Sequence, residues 1–301
     1  TASVTLSRKL LTAVNQTEGA ACSITNLATF QRMLDMANFA SGGYAGGRFR
    51  LDADIDALTV SSVSDTADHY RDLPANYFCA EFDGNGKTIA ALRLESGTQS
   101  LLRIGFHASV HDLNITSVTA GTADSPVDFT ETNTGVLFAR SAYTTFDTLA
   151  FGSVSLSASQ KTTNMNIGVL SGICLLGGNV LSGVTFGTVD VQIPVTMNGY
   201  SYGLAAANIS GTGSRIDSVS VTNSYTLTLS GYSANKNQNN NKPRYIGGLF
   251  GTVAATVTLT DASVNNLHAN IDAYEALAKD GSFGGIGGLV DTNVSNCTVT
   301  G

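Results

Sequence analysis

Two stretches decide the fold: Ile246-Gly247-Gly248-Leu249-Phe250-Gly251 and Ile286-Gly287-Gly288-Leu289-Val290-Asp291. Each sets glycines directly before an apolar pair. Weaker copies begin at Gly105-Phe106, Gly135-Val136-Leu137-Phe138, Gly168-Val169-Leu170-Ser171 and Gly203-Leu204-Ala205-Ala206. Counted to Gly248 and Gly288, successive starts lie 30, 33, 35, 45 and 40 residues apart. Recurrence on that scale marks stacked repeat units. Most copies lead into an apolar/polar alternation, as in Val110-His111-Asp112-Leu113-Asn114-Ile115-Thr116-Ser117-Val118 and Ile216-Asp217-Ser218-Val219-Ser220-Val221-Thr222. Such patterning describes strands with one buried face. A lone unit cannot bury that face, whereas stacked units can. The expectation is an all-β chain folded as a β-solenoid. Glycine at each start serves a sharp turn, through positive φ, and close approach of neighbouring backbones. The uneven spacing places insertions in loops. The largest, Ser233 to Lys242, carries Asn235, Asn237, Asn239, Asn240 and Asn241.

The first hundred residues read differently. Thr25 is placed to cap a helix running to about Asn38. Leu27, Phe30, Leu34 and Ala37 fall on one face, with Met33 beside it, and Gly42-Gly43 end it. Phe49 to Ile55 alternates as a strand, and Phe82-Asp83-Gly84-Asn85-Gly86-Lys87-Thr88-Ile89 is a turn into another, with Asp83 read as a turn residue and a cation ligand as the alternative. A solenoid needs a cap over its first apolar end. The chain therefore divides into an extension at 1–21, a cap with first coils at 22–100, and repeats at 101–301. The extension reads as an extended strand or a short helix. An extended one could pair with a neighbouring copy.

Composition narrows the partners. The 301 residues are 43% hydrophobic and 13% charged, with 32 Gly, 4 Pro and no Trp, and mean hydropathy is +0.10. A disordered chain is more polar than this. The net charge is −7, and 16 basic residues are scattered without a patch. Nucleic acid is not an expected partner, nor is an anionic membrane surface. Ile167 to Val184 is uncharged, but its Gly and Ser punctuation suits strands rather than a membrane span. The sequence opens on Thr1 without a signal-peptide pattern and reads as mature or trimmed.

Four cysteines, Cys22, Cys79, Cys174 and Cys297, lie far apart without a CxxC spacing, which argues against zinc. Cys22 and Cys79 flank the cap and are candidate disulfide partners; the alternative is buried thiols, the reading adopted for Cys174 and Cys297. No catalytic residue, metal ligand or cofactor is expected. Asp52, Asp54 and Asp56 alternate on one strand and read as a solvated face opposite Leu51, Ala53 and Ile55, with a Ca²⁺ site as the alternative. Asp112, Asp147, Asp190, Asp217 and Asp261 recur about once per unit. His107 and His111 share a strand face but stand about 13 Å apart. Five N-x-Ser/Thr sequons make Asn15, Asn114, Asn208, Asn293 and Asn296 candidate glycosylation sites. Asn293 and Asn296, three apart, should lie on opposite faces of a regular strand. Tyr200, Tyr202, Tyr225, Tyr232 and Tyr245 are the densest tyrosines, and Tyr200 and Tyr202 are candidate carbohydrate contacts.

The order of helix, Leu51-Asp52-Ala53-Asp54-Ile55-Asp56, the Asp83-Gly84-Asn85-Gly86 turn, the Gly-Leu-Phe-Gly-like units and the closing Val294-Ser295-Asn296-Cys297-Thr298-Val299 resembles the GLUG-motif surface proteins over roughly residues 22–301. The copies at Gly135, Gly168 and Gly203 depart, with Val after the first Gly or Ala in place of the second. The resemblance implies a right-handed parallel β-helix that is secreted or on the cell surface, often within a longer adhesin-like chain. The family carries no common catalytic residues. The expected function is thus a non-enzymatic extracellular or cell-surface module, structural or adhesive, with surface glycans as candidate partners. One alternative is a subunit of a head-to-tail filament, self-associating through an open solenoid edge. Another is a carbohydrate-binding or polysaccharide-degrading β-helix.

Overall fold

A computed structural model describes residues 21–39, 44–60, 77–98, 100–129, 132–159, 165–194, 200–230, 244–271 and 281–301. The 1–21 extension, Asn15 and the asparagine-rich insertion lie essentially outside these. Strand dominates the described residues, with one helix. The first part holds β1 (Cys22–Ile24), α1 (Leu27–Phe39), β2 (Tyr44–Leu51), β3 (Leu58–Val60), β4 (Tyr77–Asp83) and β5 (Thr88–Leu94). Then come β6 (Leu102–Phe106), β7 (Ser109–Ala120), β8 (Asn133–Gly135), β9 (Phe138–Ala142), β10 (Thr145–Ser157), β11 (Met165–Gly168), β12 (Ser171–Leu175) and β13 (Val180–Pro194). The last are β14 (Tyr200–Gly203), β15 (Ala206–Ile209), β16 (Arg215–Ser230), β17 (Arg244–Gly247), β18 (Phe250–Val253), β19 (Thr258–Val264), β20 (Leu267–Ile271), β21 (Gly281–Gly284), β22 (Gly287–Val290), β23 (Val294–Ser295) and β24 (Thr298–Val299). The uncharged stretch Ile167 to Val184 lies in β11, β12 and β13. No helix of the described residues is long and apolar enough to cross a membrane.

Asn26, not Thr25, caps α1. Its Oδ1 accepts the Thr29 N–H at 3.0 Å, and Thr29 Oγ1 accepts the N–H of Thr25 and Asn26 in return. These bonds satisfy donors that the first helical turn leaves without partners. Phe30, Met33 and Leu34 are buried, and the Phe30 ring meets Phe82 of β4 edge-on at 5.7 Å. Leu27, expected on that face, is 49% exposed. The buried arc is rotated towards Met33, which carries Leu27 to its margin.

Among the described residues all strand pairing is parallel, in one sheet of nineteen strands and one of five. From β8 onward, strands recur in threes: a short one before a glycine turn, a short one after it, and a long one, the last divided into β19 and β20 and then β23 and β24; β6 and β7 supply the second and third members of the unit before. Each pairs with its counterpart in the next unit. Val110, Phe146, Leu181, Ile216, Leu259 and Val294 form one row across six units. Ile115, Phe151, Phe186, Val221 and Val264 form another, with the Phe151 and Phe186 rings stacked at 5.0 Å. That separation is close to the interstrand spacing of about 4.8 Å. The core is made of such rows.

The register corrects the alignment read from sequence. Gly247 pairs with Gly284, and Phe250 with Gly287. The second decisive stretch is therefore displaced by three residues, and its true counterpart begins at Phe283-Gly284. Gly105 pairs with Ser141 and leaves the glycine row altogether. The row is Gly135, Gly168, Gly203, Gly247 and Gly284, and none of them has positive φ. Their need is space. A Cβ would stand 1.9 Å from the Phe138 carbonyl oxygen at Gly135, and 2.4, 2.4, 1.8 and 2.1 Å from that of residue i+3 at the others. The chain doubles back so tightly that only glycine fits. Positive φ is used elsewhere, at Asp112, Thr148, Gly183, Ser218, Asp261 and Asn296, one per unit in the long strand. Short polar residues and glycine tolerate that conformation best. This row accounts for the once-per-unit recurrence of Asp112 and Asp261.

Candidate functional site

Among the described residues, the one group of His, Cys, Asp and Glu side chains whose ligand atoms converge lies where β2, β4 and β7 run side by side. Register sets Arg48, Glu81 and Ser109 in one row and Arg50, Asp83 and His111 in the next. Alternation turns these outward, because Phe49, Phe82 and Val110 between them are each 1% exposed. Arg48 grips Glu81 with two bonds, Nε to Oε2 at 2.8 Å and Nη2 to Oε1 at 3.0 Å. His111 Nε2 lies 3.3 Å from Glu81 Oε1. Its Nδ1 is 2.9 Å from Asp112 Oδ2 and 3.8 Å from Asp83 Oδ1. Asp112 reaches back to its neighbour because its φ of 52° breaks the strand there. Asp83 Oδ1 also accepts the Asn85 N–H at 2.7 Å, which sets the expected tight turn.

These contacts move protons in consistent directions. Hydrogen bonds from Arg48, against partial burial and with help from His111, hold the Glu81 carboxyl below its usual range. Burial pulls the His111 imidazole down, but bonds to Asp112 and Glu81 and the charge of Asp83 outweigh it, and its pKa is raised. The donor atoms of Asp83, His111 and Asp112 all lie within 4.8 Å of one another. This trio can hold a proton at Nδ1 or a cation in its place. In the sequence Asp83 stands out as a turn residue with cation ligation as the alternative, and His111 only in its spacing to His107. The signal was the outward alternation Glu81-x-Asp83 beside His111-Asp112, and it required the register of β4 against β7.

The other residues singled out in the sequence do not converge. Asp52 is held by Ser23 and by Arg50 Nε, with its pKa lowered by those two bonds, and Asp54 accepts the Thr88 N–H at 2.8 Å. β2 ends at Leu51, so Asp52, Asp54 and Asp56 do not form one strand face. Cys22 pairs with Phe49, whereas Cys79 pairs with Gly46 two strands away and three residues along. That separation is about 14 Å by strand geometry, twice the reach of a disulfide at about 7 Å. The two form no disulfide. Cys174 is fully buried, and burial pushes its thiol up to about 11.

Tyr202 is 1% exposed, and its hydroxyl meets that of buried Tyr225 at 2.6 Å. It faces the core and offers no ring to a sugar. The side chain of Tyr200 lies outside the described residues. Asn114 is half-buried and donates to the Gly86 carbonyl at 3.1 Å. Asn208 is committed within a polar row: its Nδ2 donates to Asn166 Oδ1 at 2.8 Å, and its Oδ1 accepts from Ser201 and Thr252. Asn293 and Asn296 are both exposed, against the expectation of opposite faces, because Asn296 sits at φ 54° between β23 and β24 and breaks the alternation. No protein-family model matches the chain, and neither does a curated protein or a solved structure.

Proposed function

We propose that the chain is a right-handed parallel β-helix with a helix-containing N-terminal cap, acting as a non-enzymatic structural or adhesive module outside the cell or at its surface. The carrying observation is the pairing of each repeat strand with its counterpart 33 to 44 residues on, always parallel. Parallel crossovers are right-handed in about 98% of cases. The packing of α1 against β4 supports a capping role at that end. A glycosidase needs two carboxylates facing one groove; Asp52 and Asp54 are bonded to an arginine and a backbone N–H, and the carboxylates that do converge, Asp83 and Asp112, close on His111 on the outward face of β4 and β7, which favours a scaffold. The location rests on the GLUG resemblance. Small-angle X-ray scattering of the whole chain tests the shape, and protease treatment of intact cells that make it tests the location. An elongated particle and cleavage at the cell surface are expected. A compact, isotropic particle overturns the β-helix, and full protection in intact cells overturns the surface assignment.

A further inference from the structure

We propose that His111 Nδ1, Asp83 Oδ1 and Asp112 Oδ2 form a binding site for a divalent cation of the zinc class on the outer face of β4 and β7. Zinc is held about 2.0–2.2 Å from imidazole nitrogen and carboxylate oxygen. Two ligands at about 2.1 Å stand roughly 3.4 Å apart in a tetrahedron. The distances from Nδ1, 2.9 Å to Asp112 and 3.8 Å to Asp83, bracket that value. Small side-chain rotations bring all three onto one ion. The strand backbone beneath is held in register by β2 and β5.

The surroundings complete the arrangement. A metal-bound histidine commonly donates its other ring N–H to a carboxylate, which fixes its tautomer and aim. Here His111 Nε2 faces Glu81, and Arg48 holds Glu81 from the far side. The arrangement aims Nδ1 at the two aspartates. Arg48 is bonded to Glu81 and Arg50 to Asp52, so neither guanidinium occupies the oxygens of Asp83 and Asp112 that would meet the ion, although both still act on Asp83 through space. The imidazole selects against Ca²⁺ and Mg²⁺, which prefer all-oxygen shells. Asp112 is 52% exposed, which leaves an entry path and room for water as a remaining ligand. Binding replaces the proton on Nδ1, so one proton leaves for each ion bound when His111 starts charged.

Isothermal titration of the metal-stripped full chain with ZnCl₂ tests this, beside H111Q, D83N and E81Q, each checked for folding by circular dichroism. All four cysteines stay in place throughout, so a loss on substitution reports this site. One zinc ion per chain is expected at pH 7.5. Affinity should fall at least tenfold in H111Q and in D83N, and about tenfold in E81Q, which keeps all three ligands but loses their support. Affinity should also fall at pH 5.5, where protons compete for Nδ1. Undiminished binding in H111Q would place the ion elsewhere and sink the proposal. So would no heat from millimolar ZnCl₂, or equal competition by CaCl₂. Wild-type affinity in E81Q would remove the orienting role of Glu81.

Discussion

Two rows run through successive units of this protein, and they meet opposite demands. Ile115, Phe151, Phe186, Val221 and Val264 fill space, and their volumes vary from unit to unit. Gly135, Gly168, Gly203, Gly247 and Gly284 leave space empty, and their identity does not vary. A filled row can trade volume between neighbours, because a large ring in one unit makes up for a smaller residue in the next. An empty row cannot, since the obstacle is the carbonyl of the residue three positions on. The rows therefore differ in how a substitution fails: one loses contacts, the other collides.

The collision should cost most. In Gly247→Ala the new methyl would lie 1.8 Å from the Phe250 carbonyl oxygen and 2.7 Å from the Gly287 Cα, both backbone atoms. The turn must open, with loss of pairing to both neighbours. The expected destabilisation is about 5 kcal/mol or more, a fall in Tm on the order of 10–20 °C. Thermal melts followed by circular dichroism would measure it, and a loss under about 1 kcal/mol would show the turn to be pliable.

Phe186→Ala comes next. It empties a fully buried site and unstacks Phe151. The expected loss is about 3–5 kcal/mol. Phe186→Leu should recover most of that, in keeping with a row that accepts Ile and Val elsewhere. A Leu variant as unstable as the Ala variant would mean that ring stacking, not volume, holds the row.

The contrast also explains what the sequence revealed. Alternation exposed the filled rows directly, since Val110, Ile216 and Val294 each open an apolar/polar run. The glycine row was visible as composition but slipped in register. Ile246-Gly247-Gly248-Leu249 and Ile286-Gly287-Gly288-Leu289 match by eye, yet the chain pairs Gly247 with Gly284, because insertions of unequal length hide which glycine lies over which. At the site of Glu81, Asp83, His111 and Asp112 only Asp83 was legible as a possible ligand; its convergence with the others exists only once β4 lies beside β7 in one particular register. Tyr202 misled differently. Tyrosine suits both interfaces and cores, and what decides between them is a partner for its hydroxyl, here Tyr225 from a strand beyond the next turn.

That pair is a polar exception inside the filled region, and it sets a smaller effect. Tyr202→Phe leaves the Tyr225 hydroxyl buried without its partner, at a cost of about 1–3 kcal/mol. Tyr225→Phe should cost a similar amount. The double substitution removes both polar groups and should be less damaging than the two single losses added together. Additive losses in urea denaturation would show that the hydroxyls do not depend on each other.

The smallest effect concerns a glycine of the other kind. Gly86, in the turn between β4 and β5, has φ of 66°, and nothing lies within 4 Å of where a Cβ would stand. Space is free there and only backbone conformation is demanded. Gly86→Ala should therefore cost about 1–2 kcal/mol, the penalty for placing an L-residue in the left-handed region. Gly86→Asn should cost less, because Asn tolerates that region, as Asn85 beside it already does at φ 52°. At Gly247 the order should vanish, with Ala and Asn equally disruptive, because the obstacle there is a carbonyl oxygen and not a dihedral angle. An Asn that rescued Gly247, or one that failed at Gly86, would show that the two glycines had been assigned each other's reason.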